Sequence, residues 1–543
     1  MGEMPWLGLY RGHLPERFEV PDVSLWQLFE DAVGEHGGRV ALVLGERRVT
    51  FHELREMAER LAGALHGLGV RKGDRVGLML PNVPQYVIGF FAAMRLGAVV
   101  TQLNPMYVER ELEHILKDSG ARVAIVYDGA YERVRAVRGK VPLETVIVAP
   151  LQGGRPRLER GDVYLEELLE ENAGAAPEVE MDPAEDLAAL QYTGGTTGRS
   201  KGAMLTHRNL VANVLQNLAI ATVEPGEYVG EKAVAALPYF HVYGLTCVML
   251  FGIKAGTQQL LVPRFEAQAV VELVRRERPA LFPGVPTMFS ALVASGEDLR
   301  ESGFGGIRFY NSGGAPLPVG LKHAFQERVG VPLLEGYGLS EASPTTHANP
   351  RFLGEGRDGS IGIPLPATDA RVVDVESGER ELAPGEEGEL VVRGPQVMKG
   401  YWNMPEETGR VLRDGWLYTG DIARMDEEGY FYIVDRKKDL IVASGYNVYP
   451  REVEEVLYEC PGVSEAAVIG VPDPYRGETV KAFVVKEGGS ELTGEEVIEF
   501  CRDRLAAYKV PKAVEFREEL PKSTVGKILR RVLAGEEREA ASR

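Results

Sequence analysis

Short apolar runs alternate with stretches in which apolar residues recur every three or four positions through most of the chain. The runs over 75–80, 98–102, 123–127 and 145–148 have the length and β-branched content of buried strands, and 83–96 and 109–118 carry helical spacing. This is the rhythm of a parallel α/β sheet, each strand followed by a crossover helix. Ahead of it, 40–44 and 48–51 flank Gly45-Glu46 as a hairpin. Leu54, Met57, Leu61, Leu65 and Leu68 then recur at helical spacing up to Gly69, with Thr50 and Glu53 forming a capping box. The α/β rhythm continues through 233–237, 259–262, 280–282 and 307–311. Between about 371 and 432 it gives way to short strands punctuated by Gly, Pro and Asp-Gly, which predicts a small β unit. After Asp435 the segments 452–458, 466–471, 480–485 and 495–505 form a helix-and-strand mixture of the size of an independent domain. A hinge at 435–438 divides the chain into 1–434 and 435–543. The chain carries no internal repeat or low-complexity tract.

With 543 residues, of which 44% are hydrophobic and 26% charged, the chain is long enough for a large core split over more than one domain. A formal net charge of -19 repels phosphodiester backbones, and no local basic patch offsets it, so no nucleic-acid partner is expected. Cys247, Cys460 and Cys501 are odd in number and far apart, which argues against a disulfide framework and fits a reducing cytoplasm. No basic-then-apolar leader opens the sequence, and the longest apolar runs, 86–94 and 245–253, are too short to span a bilayer. The expectation is a cytoplasmic protein; peripheral association with the inner membrane face stays open, as does a homodimer.

The most informative segment is Tyr192-Thr193-Gly194-Gly195-Thr196-Thr197-Gly198-Arg199-Ser200-Lys201-Gly202. Glycines let the backbone curl so that N–H groups converge on an anion, while the hydroxyls add donors and Lys201 a positive charge. A Gly/Thr tract of this kind is, taken alone, as readily a surface turn with a solvated lysine. Here it follows an apolar strand at 187–190 and precedes a helix opening near Thr206. It is neither a Walker A loop nor a Rossmann fingerprint, which disfavours a P-loop NTPase and a simple dehydrogenase. Further along, 311–316 (Asn-Ser-Gly-Gly-Ala-Pro) would let a flat group approach closely, though it also reads as an ordinary strand-to-helix turn. Gly336-Tyr337-Gly338-Leu339-Ser340-Glu341 gathers a ring for a base, a hydroxyl for phosphate and an acid for Mg²⁺. Asp421 closes a Trp-Leu-Tyr-Thr-Gly-Asp run and could take both ribose hydroxyls. The charged 435–439 cluster and the 521–527 tail would, in isolation, be solvated loops.

The order and spacing of these motifs resemble the AMP-forming adenylating superfamily, which includes acyl-CoA synthetases, luciferases and peptide-synthetase adenylation domains. Within it, Tyr-Thr-Gly-Gly-Thr-Thr-Gly, Lys-Gly-Ala-Met-Leu-Thr-His-Arg-Asn, Arg393-Gly-Pro-Gln-Val-Met, Asp435-Arg-Lys-Lys-Asp with Asn447-Val-Tyr-Pro, and Leu520-Pro-Lys-Ser closing in Val525-Gly-Lys-Ile-Leu-Arg-Arg531 are most similar to bacterial long-chain fatty-acid CoA ligases. The resemblance runs over nearly the whole chain. It implies an α/β fold: a large N-terminal domain of two α/β sheets plus a small β-barrel, and a small mobile α+β C-terminal lid.

The resemblance also implies two half-reactions. A carboxylate attacks the α-phosphate of ATP to give an acyl-adenylate and pyrophosphate, and the CoA thiol then displaces AMP. ATP, Mg²⁺ and coenzyme A are the expected cofactors and a fatty acid the substrate. By motif, Thr193, Gly194, Gly195, Thr196, Thr197, Gly198 and Lys201 grip pyrophosphate, and Thr193 and Glu341 hold Mg²⁺. Tyr337 stacks on adenine beside Gly313, Gly314 and Ala315, with Gly338 next to it and Ser340 on phosphate. Asp421 and Arg436 bind ribose. Lys527, delivered by the lid, bridges the carboxylate and the α-phosphate. His241, which in isolation reads as a core histidine among aromatics, falls near the acyl carboxylate. Lys438 is the hinge residue, and Ser444 and Gly445 belong to a loop lining the pantetheine channel. A medium-chain or aryl-acid ligase remains an alternative, as do an acyl-AMP ligase feeding a carrier protein and a non-catalytic acyl-nucleotide binder.

Overall fold

The computed structural model describes residues 4–541 except 16, 152, 172–175, 194–199, 438, 444–445, 474–476 and 524–525. The first α/β layer is a seven-stranded sheet in the order 163–164, 145–149, 123–127, 75–79, 99–102, 187–193, 201–206. All of its pairs are parallel except the last, where Leu187–Thr193 and Lys201–Thr206 run antiparallel. A nine-stranded sheet follows, ordered 363–364, 345–348, 333–338, 309–312, 281–284, 232–235, 258–261, 40–44, 47–50. The strands Leu281–Gly284, Phe309–Ser312 and Leu333–Gly338 lie parallel and adjacent at its centre.

Helices Leu25–His36, Phe51–Gly67, Pro84–Arg95 and His207–Ala221 share one apolar core with both sheets. Phe29 and Phe91 stack there at 4.1 Å between ring centroids. Each such ring, removed from water, contributes about 1.5–3 kcal/mol. The helix Phe51–Gly67 starts where the capping box sets it: the Glu53 N–H donates to Thr50 Oγ1 at 3.2 Å and the Thr50 N–H to the Glu53 carboxylate at 2.7 Å.

The small β unit is antiparallel: 369–373 pairs with 388–393, and Trp416–Met425 takes 388–393, 412–413 and 431–436. Among the described residues these pairs make an open sheet, and closure into a barrel is not seen. The C-terminal unit is a mixed sheet ordered 446–448, 441–443, 477–486, 463–473, with 513–517 parallel to 477–486. Its apolar core (Ile441, Val453, Leu457, Val468, Val480, Val497) draws only on this part of the chain.

Candidate active site

In a parallel sheet the strands' C-terminal ends leave a crevice where ligands bind. Here the residues following Leu281–Gly284, Phe309–Ser312 and Leu333–Gly338 open onto one cleft of about 2290 Å³, which the C-terminal unit closes from the other side. Thr193, Lys201, His241, Gly313, Gly314, Ala315, Tyr337, Gly338, Ser340, Glu341, Asp421, Arg436 and Lys527 all line it. Residues drawn from across the sequence therefore meet at one surface. Gly194, Gly195, Thr196, Thr197, Gly198, Lys438, Ser444 and Gly445 lie outside the described residues.

The glycine-rich segment is flanked by an antiparallel pair of strands, Leu187–Thr193 and Lys201–Thr206. Thr193 and Lys201 are cross-strand partners, and the Ser200 hydroxyl donates to the Thr193 carbonyl at 2.6 Å. Sequence periodicity missed the returning strand Lys201–Thr206, because a six-residue run opening on Lys and Gly has too little apolar pattern to register. The expected helix does open after it, at His207, with Thr206 Oγ1 accepting from the Asn209 N–H. The helix N-terminus thus stands a full strand away from Lys201.

The segment 398–402, joined by an isolated antiparallel bridge between Ala203 and Tyr401, runs beside that returning strand. The Lys399 N–H donates to the Met204 carbonyl, Met204 N–H to Gly400, and Trp402 N–H to Gly202, while Met398 N–H reaches the Glu341 carbonyl at 2.8 Å. This brings Tyr401 between two expected site residues. Its hydroxyl donates to Glu341 Oε1 at 2.7 Å, and the Lys201 ammonium stands 5.1 Å from its ring centroid. Glu407 Oε2 lies 2.5 Å from Lys201 Nζ, and this contact holds the Glu407 carboxyl below its usual range. Burial, with the Glu341 charge, pushes the Tyr401 phenol up. Nothing in the local pattern around Tyr401 or Glu407 marks them, since their partners lie far off in sequence.

Another side of the cleft is organised by strand register. Asp421 and Arg436 face each other on Trp416–Met425 and Phe431–Arg436. Asp421 is 2% exposed, accepts the Tyr337 hydroxyl on Oδ2 at 2.5 Å, and lies 2.9 Å from Arg436 Nε through Oδ1. The guanidinium N–H points off that line, so Oδ1 is a buried acceptor with no hydrogen bond. A carboxylate oxygen with no donor beside a tyrosine ring suits a sugar hydroxyl. The Tyr337 ring packs edge-on to buried His347 at 6.1 Å.

Two glycines serve packing. A Cβ on Gly338 would sit 2.3 Å from the Pro344 carbonyl oxygen, so the turn after its strand requires glycine whatever binds in front of it. A Cβ on Gly313 would come within 3.1 Å of the Tyr243 ring. Tyr243, tied through its hydroxyl to Asn311 Oδ1 at 2.6 Å, therefore takes one side of the space beside Gly313.

His241 is half-buried in the cleft wall. Its Nδ1 accepts the Tyr243 N–H at 3.3 Å, which leaves any ring proton on Nε2. Burial, and after it the charge of Lys527, lowers its pKa to about 4, so the ring is neutral at physiological pH. The Lys527 loop is seated on the N-terminal part: a Cβ on Gly526, at φ +71°, would lie 2.2 Å from Thr287 Oγ1. Within the loop the Lys527 N–H donates to Ser523 Oγ and its carbonyl accepts from the Ser523 N–H.

Among the described residues no group of three or more His, Cys, Asp or Glu could hold a metal unaided. Glu341 is a lone carboxylate, which suits Mg²⁺ shared with substrate phosphates rather than an all-protein cage.

Residues 29–402 match the AMP-binding enzyme family, and 452–527 match the AMP-binding enzyme C-terminal domain. The chain belongs to the AMP-binding enzyme family. It is 44% identical over 558 aligned positions, covering 99% of both chains, to the long-chain-fatty-acid–CoA ligase of Bacillus subtilis. To the feruloyl-CoA synthase of an Amycolatopsis species it is 42% identical, over 90% of this chain and 93% of that one. Among solved AMP-binding folds, ATP-bound MatB from Rhodopseudomonas palustris superposes with a TM-score of 0.86 at 33% identity, covering 95% of this chain and 99% of that one. The apo form of the same protein superposes with a TM-score of only 0.76 over the same coverage.

Proposed function

We propose that this protein is a long-chain fatty-acid CoA ligase that forms an acyl-adenylate from ATP and then transfers the acyl group to coenzyme A. Residues 1–434, together with Asp435 and Arg436 that end the body strand Phe431–Arg436, serve as the ATP- and acyl-binding body, and the rest of the chain to 543 as its lid. The observation that carries the reading is the meeting of neutral His241 with Lys527 in one cleft, the first on the body and the second on the C-terminal unit.

The difficulty of the first step is charge, because an anionic carboxylate must approach a polyanion. Lys527 brings a positive charge to the point where the two meet, and the neutral Nε2–H of His241 offers a donor that orients a carboxylate oxygen. No general base is needed, since a carboxylic acid is already ionised near neutral pH. Lys201 and residues 194–199 take the pyrophosphate, the Lys201–Glu407 pair exchanging Glu407 for phosphate oxygen. Asp421 accepts the ribose hydroxyls on its orphan oxygen, Arg436 flanks it, and Tyr337 faces the base. Glu341, held by Tyr401, with Thr193 beside it, would hold Mg²⁺, which supplies charge neutralisation for the phosphates when bound.

The identity to the Bacillus subtilis ligase over both full lengths favours a long alkyl acid. The feruloyl-CoA synthase favours the second reading, an aryl acid. Purified protein supplied with ATP, Mg²⁺, CoA and a panel of acids separates them. Each methylene buried in an apolar tunnel gains at most about 0.8 kcal/mol, so kcat/KM climbs from about C8 toward about C16 and then levels off. A maximum at a cinnamate-like acid, with no gain from tail length, selects the aryl reading.

A further inference from the structure

One of the places where the C-terminal unit meets the body is a buried carboxylate, Asp435. Asp435 is the second-last residue of Phe431–Arg436, a strand of the body's small β unit in which it pairs with Ile422. Its side chain is 1% exposed. Every partner recorded for that side chain, other than its neighbour Arg436, belongs to the C-terminal unit. Oδ2 accepts the N–H of Arg451, near the start of the helix Pro450–Tyr458, at 2.8 Å, and Oδ1 lies 3.5 Å from Arg530 Nη1. Arg451 reaches back as well, donating from Nη1 to the Ile433 carbonyl of the same body strand at 2.9 Å.

Arg530 is three residues beyond Lys527, at the first position of the helix Arg530–Ala541. It grips Glu454 with two nitrogens, at 3.0 and 2.5 Å, and stands 3.3 Å from Asp439. Between Lys527 and Arg530 the chain has little slack, because Lys522 and Ile528 bridge antiparallel and the Leu529 N–H donates to the Pro521 carbonyl. The guanidinium that touches the body's last strand therefore fixes the base of the loop that presents Lys527. Glu454 and Asp439 move with Arg530, whereas Asp435 stays with the body. The Asp435 contacts, with the Arg451–Ile433 bond beside them, depend on where the lid sits.

We propose that Asp435 is a latch at the end of the body strand Phe431–Arg436, positioning Lys527 through Arg530 and Arg451 for the first half-reaction and letting go for the second. This rests on the ligase reading and on a lid that changes position between the two chemistries. A buried carboxylate that meets two lid groups stabilises the arrangement with Lys527 in the cleft and contributes nothing once the lid turns away.

The test compares the half-reactions in Asp435→Asn, which keeps the shape and removes the charge. Adenylation is followed as pyrophosphate release from ATP and palmitate, and thioesterification as CoA ester formed from synthetic palmitoyl-adenylate. Adenylation is expected to fall about tenfold or more, the size of a lost charge-assisted hydrogen bond, with thioesterification unchanged or faster. Arg530→Lys, which retains charge without the fork that reaches Glu454 and Asp435 together, shows the same split more weakly. Combining it with Asp435→Asn adds no further loss to adenylation. Equal slowing of both steps, no slowing, or multiplying losses in the double variant overturns the latch. If Asp435→Asn does not fold, as judged by its thermal transition, Arg530→Lys supplies the same comparison. A wild-type protein that makes neither pyrophosphate nor CoA ester from any acid defeats the ligase reading itself, whatever the variants do.

Discussion

The Tyr401 hydroxyl donates a 2.7 Å hydrogen bond to the Glu341 carboxylate, although sixty positions separate them. That bond occupies one carboxylate oxygen and fixes the other's direction, so the proposed magnesium ligand is aimed by a residue that would touch no substrate. Tyr401→Phe is expected to raise the Mg²⁺ concentration needed for half-maximal adenylation by about tenfold or less, since it removes one hydrogen bond to a charged group. Glu341→Gln, which removes the ligand's charge, shifts the same titration further. A Mg²⁺ titration identical to wild type in both variants removes Glu341 from the metal's surroundings.

Asp421→Ala should weaken ATP by roughly 10- to 100-fold and leave the fatty-acid KM nearly unmoved. The substitution deletes both the oxygen that accepts from Tyr337 and the buried one without a hydrogen bond. Should the fatty-acid KM rise instead, the ribose assignment is wrong.

Lys527→Ala is expected to slow adenylate formation by about 10²- to 10³-fold while sparing CoA-ester formation from supplied adenylate, because its charge matters only where two anions meet. Gly526→Ala should reproduce much of that split with the lysine intact. A methyl there meets Thr287 Oγ1 at 2.2 Å on a backbone already at φ +71°, so the loop cannot seat. Equal damage to both half-reactions in Lys527→Ala would falsify its assignment to the first.

Glu335 supplies a pH dependence of stability. It is 6% exposed; burial raises its pKa from 4.5 to about 7, opposed by the charges of Arg451 and Lys322 and by the Leu317 N–H it accepts, and reinforced by Glu455. The folded group keeps its proton where the unfolded one has lost it, so its stabilising share is complete below the unfolded value and disappears as pH rises through about 7. Glu335→Gln does not titrate. Its stability relative to wild type should therefore increase between about pH 5 and about pH 8, by on the order of 3 kcal/mol at most, as read from paired denaturant melts. A difference that stays flat or falls over that interval shows that Glu335 is ionised throughout.

The local signals in the sequence carried far because they are local in origin. The capping box at Thr50 and Glu53 needs only four residues, and the structure forms it. The parallel strands were legible for a similar reason: burial on both faces writes a continuous apolar run, as at Val123–Tyr127. Ordered motifs were enough to name the family, since glycine-rich and charged runs at fixed spacing are written directly in the chain. The structure alone decided which side chains meet. The returning strand Lys201–Thr206 has no strong period of its own and exists because Leu187–Thr193 offers an edge to pair with. Asp421 faces Arg436 because of strand register, and Tyr401 reaches Glu341 because 398–402 runs beside a strand two hundred residues earlier in the chain. Gly338 is a motif position by sequence, and only the structure adds that the carbonyl of Pro344 requires glycine there. Distances of this kind follow from the packing of sheets against one another, a property of the whole fold that no window of sequence contains.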